Sequence, residues 1–256
     1  MKPQRIELLG VPVDCVTMAQ SIEFVDEQVA AGAKAAAIFA VNPEKVMRAR
    51  KEPALMRGLR RASLLIPDGI GVVWAARWRH RAKIARVPGS ELMPAICGLA
   101  AEKGYGVFLY GAREEVNAEA ADVLPKRFPG LTIAGRHHGY VGDADMSDLV
   151  ERINESGADI LFVALGSPRQ EAWIETHSPA LGVKVIQGVG GTFDVVAGRV
   201  RRAPKLFLAL NLEWFYRLLR EPQRLWRQRV LVYFAVSVIT EKLFGDRATP
   251  PQTRTE

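Results

Sequence analysis

A chain of 256 residues, 48% apolar and 25% charged, has the composition of an ordinary globular protein and can bury one large domain or two small ones. Cys15 and Cys97 are isolated, with no CxxC or His-rich spacing around them, which argues against a disulfide framework and a zinc site and fits a reducing cytosol. The formal net charge is +7, and the stretch from Arg199 to Arg229 carries nine cations against Glu213 and Glu221, so everything upstream is close to neutral.

The first residues, MKPQRIELLGVPVDCV, hold no apolar run of signal-peptide length. From there, strand-like runs alternate with amphipathic stretches of helix length. IELLGVPVDCV precedes a helix beginning near Thr17, AAAIFAVN precedes PEKVMRARKEPALMRGLRRA, and SLLIPDG precedes IGVVWAARWRH. GYGVFLYG leads into AREEVNAEAADVLPKRF, LTIAGRHHGY into MSDLVERINESG, ADILFVALG into SPRQEAWIETH, and VKVIQGVGG into TFDVVAG. Strand, polar turn and helix, repeated about six times, predict an α/β domain with a largely parallel sheet over residues 1–200. Val200 to Pro204 reads as a hinge into a basic helical appendage over 201–244, and 245–256 reads as disordered. The apolar run Val230–Ile239 is about half of the roughly 20 residues that span a bilayer. It fits an interface or a core, not a crossing. Trp214, Phe215, Tyr216 and Trp226 sit among the cations, a pattern open to core helices with solvated Arg stems or to a surface for an anionic partner.

In a parallel sheet, ligands sit where strands end and helices begin. The turns there are AVNPE, PDGIG, LYGARE, LGSPRQE and GVGGTFD. None fits GxGxxG or GxxxxGK[ST], which excludes the common dinucleotide and P-loop sites, yet their backbone N–H groups suit phosphate. Asp68 follows an apolar strand and precedes Gly69 and Gly71; it is either a turn or capping residue or a general base. Asn42 caps the next helix or meets a ligand. Of Gln170 and Glu171, one can face the site while the other bonds locally. Asp194, beyond Gly190 and Gly191, caps a helix or accepts bonds from a ligand. His137 and His138 have no second cluster, and no metal site is expected.

Taken in order, these segments resemble the WecG/TagA/CpsF family of bacterial glycosyltransferases, from about Ile6 to about Arg229. The matching parts are NPE (Asn42–Glu44), PDGIGVV (Pro67–Val73), RVPGSELM (Arg86–Met93), ALGSPRQE (Ala164–Glu171), GVGGTFDVVAGRVRRAP (Gly188–Pro204) and LEWFYRLLREPQRLWRQR (Leu212–Arg229). The resemblance implies a Rossmann-like core of the GT-E type with a C-terminal appendage that completes the site. It implies an inverting enzyme that moves a sugar from a UDP-sugar to an undecaprenyl-diphosphate-linked saccharide, peripherally, at the cytoplasmic face of the membrane. Asp68 becomes the base; Asn42, Tyr140, Gln170, Asp194 and the Gly190–Gly191 turn fall to the UDP-sugar; Arg217, Arg224 and Arg227 fall to the lipid diphosphate. No cofactor and no nucleic acid partner are implied, and a homo-oligomer is allowed. Two positions depart from the family pattern. Ala40 stands where Thr is common, so the donor hexose is not carried over, and Glu91 stands where Asp is usual. A competing reading is a non-catalytic UDP-sugar binder in a polysaccharide assembly.

Overall fold

A computed structural model of the chain describes residues 3–32, 34–200 and 225–245. Its centre is a six-stranded parallel sheet of β3 (Ala36–Val41), β4 (Leu64–Pro67), β5 (Gly106–Gly111), β6 (Thr132–His137), β7 (Ile160–Ala164) and β8 (Val185–Gly188), in the order β4-β3-β8-β7-β5-β6. β4, β7 and β8 are buried along their whole length, which is why they read as continuous apolar runs rather than alternating ones. The exception is β6, an edge strand whose residues are only partly covered.

Helices cover both faces. One core lies between the sheet and α2 (Pro43–Ala49), α3 (Pro53–Arg61), α4 (Ile70–His80), α7 (Met146–Glu155), α8 (Arg169–His177) and α10 (Leu225–Phe244). The other lies under α1 (Met18–Ala30), α5 (Gly89–Lys103), α6 (Glu114–Arg127) and α9 (Thr192–Val196). The expected α/β class and parallel sheet are therefore observed.

Three details differ from the sequence reading. The first apolar run is not one strand but a hairpin, β1 (Arg5–Leu8) and β2 (Val11–Asp14), paired antiparallel and separate from the main sheet. Leu9 and Gly10 both take positive φ, as a two-residue hairpin turn requires. The hairpin is tied down by Asp14, which is buried, receives Arg5 through two bonds of 2.7 and 2.8 Å, and accepts the Leu65 N–H at 2.7 Å. Second, PEKVMRARKEPALMRGLRRA forms two helices, because Pro53 cannot continue α2 and instead opens α3 at its first position. Third, α5 is a helix beyond those the alternation predicts. The expected start of α1 is seen, with Thr17 as N-cap in a reciprocal bond set with Gln20.

α10 lies in parallel register along α4. Phe234 and Val238 are buried, and a Cβ placed on Gly71 would sit 3.9 Å from the Phe234 ring. Seven to eight residues further along both helices, Lys242 Nζ donates to Trp78 O at 2.7 Å and stacks over its ring at 4.0 Å, while Arg79 and Glu241 pair at 3.1 Å. The first turns of α10 therefore project past the N-terminus of α4, toward the carboxyl edge of the sheet. Arg217, Arg224, the hinge beyond Val200 and the tail from residue 246 lie outside the described residues. So does the side chain of Arg227, although its backbone is part of α10.

Candidate active site

Every strand-end turn singled out in the sequence opens on the same carboxyl edge of the sheet, in the spatial order Asp68, Asn42, Gly190–Asp194, Gln170 and Tyr140. The two turns at the β4 end are locked together. Asp68 N–H donates to Val41 O at 2.9 Å, and a Cβ on Gly71 would meet Pro43 at 3.1 Å. A side chain at position 71 would press the PDG turn away from the NPE turn, so glycine here serves close approach. The N-cap of α4 is Gly69, with φ +91° and no side-chain cap. Capping therefore does not account for Asp68, which is half-buried at the edge. By contrast, Asn42 is a cap: its Oδ1 accepts the Lys45 N–H at 2.8 Å, leaving the amide NH2 to face outward chemistry. The segment before α5 closes this end, with Val87 N–H on Pro67 O at 2.8 Å and Arg86 beside Glu91 at 3.6 Å.

The central turns are built from within. Gln170 is 3% exposed; its Oε1 accepts the Gly190 N–H at 2.9 Å and its Nε2 donates to Glu171 Oε1 at 3.3 Å. The side chain is thus turned inward and braces the GVGG turn, where the sequence leaves open which of Gln170 and Glu171 faces the site and which bonds locally. Gly188 packs on that amide so closely that a Cβ would lie 2.8 Å from Gln170 Nε2. Gly190, at φ +55°, has no atom of the described residues within 4 Å of where a Cβ would stand, so among them its outer side is open. Asp194 lies in the first turn of α9, partly exposed, and the N-cap there is Gly191 without a side-chain cap.

Tyr140 is at the far edge. Its turn hangs on β5: Gly139 N–H donates to Ala112 O at 2.8 Å, and buried Asn117 donates to the carbonyls of Gly111 and His137 at 2.9 and 3.0 Å. The ring itself is 71% exposed. At roughly 4.8 Å per strand, β6, which leads to Tyr140, is about 14 Å from β8, which leads to the Gly190 turn, and β4, which leads to Asp68, is about 10 Å from β8 on the other side. Lys45 and Glu171, not singled out as a pair in the sequence, are joined at 2.6 Å while 7% and 1% exposed. Among the described residues no group of three His, Cys, Asp or Glu is placed to hold a metal ion.

The family model described as Glycosyl transferase WecG/TagA/CpsF family matches residues 6–248. Among curated proteins the chain is similar to the N-acetylglucosaminyldiphosphoundecaprenol N-acetyl-beta-D-mannosaminyltransferases of Staphylococcus aureus strains MRSA252, MW2 and NCTC 8325 / PS 47. Each is 36% identical over 239 residues, covering 93% of this chain and 93% of the relative.

Proposed function

The chain belongs to the WecG/TagA/CpsF family of glycosyltransferases, and from that premise we propose that it moves a hexose-type sugar from a UDP-sugar to a polyprenyl-diphosphate-linked saccharide in cell-envelope or exopolysaccharide synthesis. The observation that carries this reading is the common carboxyl edge, where an acid at a glycine turn, a glycine turn open on its outer side among the described residues and an exposed aromatic ring follow one another. The roughly 14 Å between the strands that lead to Gly190 and to Tyr140 suits a nucleoside diphosphate, with the uracil toward Tyr140 and the phosphates at the Gly191 N–H, since that of Gly190 is taken by Gln170. The roughly 10 Å from β8 to β4, which leads to Asp68, leaves room for one hexose ring and the attacking hydroxyl. Asp68 takes the proton of that hydroxyl as its oxygen bonds to the anomeric carbon from the face opposite UDP, and the C–O bond to UDP breaks with its electron pair. One displacement inverts the centre. Asn42 and Asp194 orient the sugar, Gln170 acts through Gly190, and Arg217, Arg224 and Arg227 hold the lipid diphosphate as planar forks suited to paired phosphate contacts.

The relatives' names point to N-acetylmannosamine as the first donor to try, with its uronic acid and glucose beside it, and to N-acetylglucosamine on undecaprenyl diphosphate as the acceptor. Ala40, on β3 two residues before Asn42, has its Cβ 3.4 Å from where a Gly89 side chain would begin, so a methyl group occupies the place of the usual Thr hydroxyl. The enzyme acts peripherally on the cytoplasmic face of an anionic membrane; no helix among the described residues is long and apolar enough to cross one. The test is a screen of these UDP-hexoses for UDP release with a short-chain lipid-diphosphate saccharide. Binding of UDP without turnover on any acceptor would favour a non-catalytic assembly protein instead.

A further inference from the structure

We propose that Glu171, ion-paired with Lys45, is a positioning residue for the donor: it dictates which end of the Gln170 amide faces Gly190. This rests on the donor role of the Gly190 turn given above. A polar series runs beneath the edge from Lys45 Nζ to Gly190, and the backbone of Lys45 ties it to Asn42. Asn42 Oδ1 accepts the Lys45 N–H at 2.8 Å, Lys45 Nζ meets Glu171 Oε1 at 2.6 Å, Gln170 Nε2 donates to that same oxygen at 3.3 Å, and Gly190 N–H donates to Gln170 Oε1 at 2.9 Å. Lys45, Gln170 and Glu171 are all buried.

The direction of the series follows from chemistry. A primary amide has one accepting and one donating end, whereas a carboxylate only accepts. Glu171 therefore draws the NH2 of Gln170, which leaves the carbonyl oxygen for Gly190. A flipped amide would set two acceptors face to face at Glu171 and two donors face to face at Gly190. Lys45 supplies the counter-charge that makes a buried carboxylate tolerable there. If the pair served only to pack α2 on α8, apolar side chains would do as well. The bond onward to a turn whose outer side is open is what packing does not need.

The inference is tested with Glu171→Met, Gln170→Met and the two combined, each read in two ways; methionine at 171 removes every acceptor while keeping the length of the side chain. One is hydrogen exchange of the Gly190 amide in glycine-labelled protein; the other is UDP affinity by calorimetry. Each single variant should speed exchange and weaken UDP binding by about tenfold or more, the scale of one lost buried hydrogen bond. The combined variant should be no worse than either, because both break one link. Ile153→Val, a core change on α7, controls for stability and should leave UDP affinity within about twofold. If Glu171→Met does not fold because Lys45 is left unpaired, Lys45→Met with Glu171→Met removes both charges and should show the same losses. Unchanged Gly190 exchange in a folded Glu171 variant, or losses that multiply in the combined variant, overturns the proposal. If the wild-type protein binds no UDP, the donor reading fails by itself, and the exchange rates still decide whether Glu171 sets the turn.

Discussion

In the proposed reaction, Asp68 is the residue on which the chemistry turns. Its backbone is fixed by the bond to Val41 O, and the cap position beside it is taken by Gly69, so the carboxylate is held at the edge for a reason other than helix capping. Asp68→Asn should lower turnover by roughly 10²–10⁴-fold while UDP affinity stays within about threefold, since an amide matches the shape but cannot take the proton. Steady-state rates with calorimetry decide it; a variant keeping more than half the wild-type rate ends the assignment. Activity should also survive EDTA: the DxD pair of the sequence, Asp143 and Asp145, lies on an exposed turn just before α7, six residues or more beyond the end of β6, and turn N–H groups with cationic side chains can carry the leaving UDP. Loss in EDTA restored by manganese or magnesium would contradict this. Which residues line the edge was legible from the sequence, because glycine and polar residues after an apolar strand mark such turns. Which way each side chain points was not. The inward set of Gln170 depends on Glu171, and Glu171 depends on Lys45 across a sequence separation of 126 residues, a meeting fixed only by how α2 and α8 pack.

At the scale of elements, the alternation of apolar runs and amphipathic stretches foretold the parallel sheet, but punctuation inside a run was harder to read. Leu9–Gly10 folds one apolar stretch into a hairpin through backbone φ values that leucine seldom adopts. A partner for α10 was equally hidden, since an apolar run of that length suits a core as well as an interface. The structure assigns one of its faces to the core through Phe234 and Val238. Phe234→Ala with Val238→Ala should free α10 from α2 and α4 at a cost of about 3–5 kcal/mol in docking energy. Amide exchange within residues 229–244 should then rise, and Trp78 fluorescence should change as Lys242 leaves its ring, while the sheet stays protected. Because α10 starts beside the Asp68 turn, turnover on the lipid-diphosphate acceptor should fall with it. Protection of α10 unchanged in the double variant would show that other contacts hold the helix.

Over the whole molecule, charge is gathered in one stretch of the sequence, and exposed apolar side chains lie on the helix that this stretch runs into. The segment from Arg199 to Arg229 equals the net charge of the chain, and it leads directly into α10. The face of α10 turned away from the core exposes Val232, Tyr233, Val236 and Ile239, at the same levels as exposed Ile70 and Trp74 on the neighbouring α4. Two independent contributions to membrane binding follow. Cations gain roughly 1 kcal/mol each near an anionic leaflet, and salt screens that gain. Apolar insertion is not screened. Raising salt should therefore weaken, but not abolish, binding to anionic liposomes, and Trp74→Ala with Val236→Glu should remove the part that survives high salt. The same variant should retain turnover on a water-soluble short-chain acceptor, since neither side chain belongs to the proposed site. Arg224→Ala or Arg227→Ala should do the opposite, depressing turnover on the lipid-diphosphate acceptor far more than liposome binding. The reason is geometric: a diphosphate clamp needs particular guanidinium groups, whereas a leaflet responds to summed charge, and each removal takes only one of nine cations. Should the single arginine variants lose liposome binding and turnover in equal proportion, these arginines serve only as membrane contacts, and the diphosphate clamp must be abandoned.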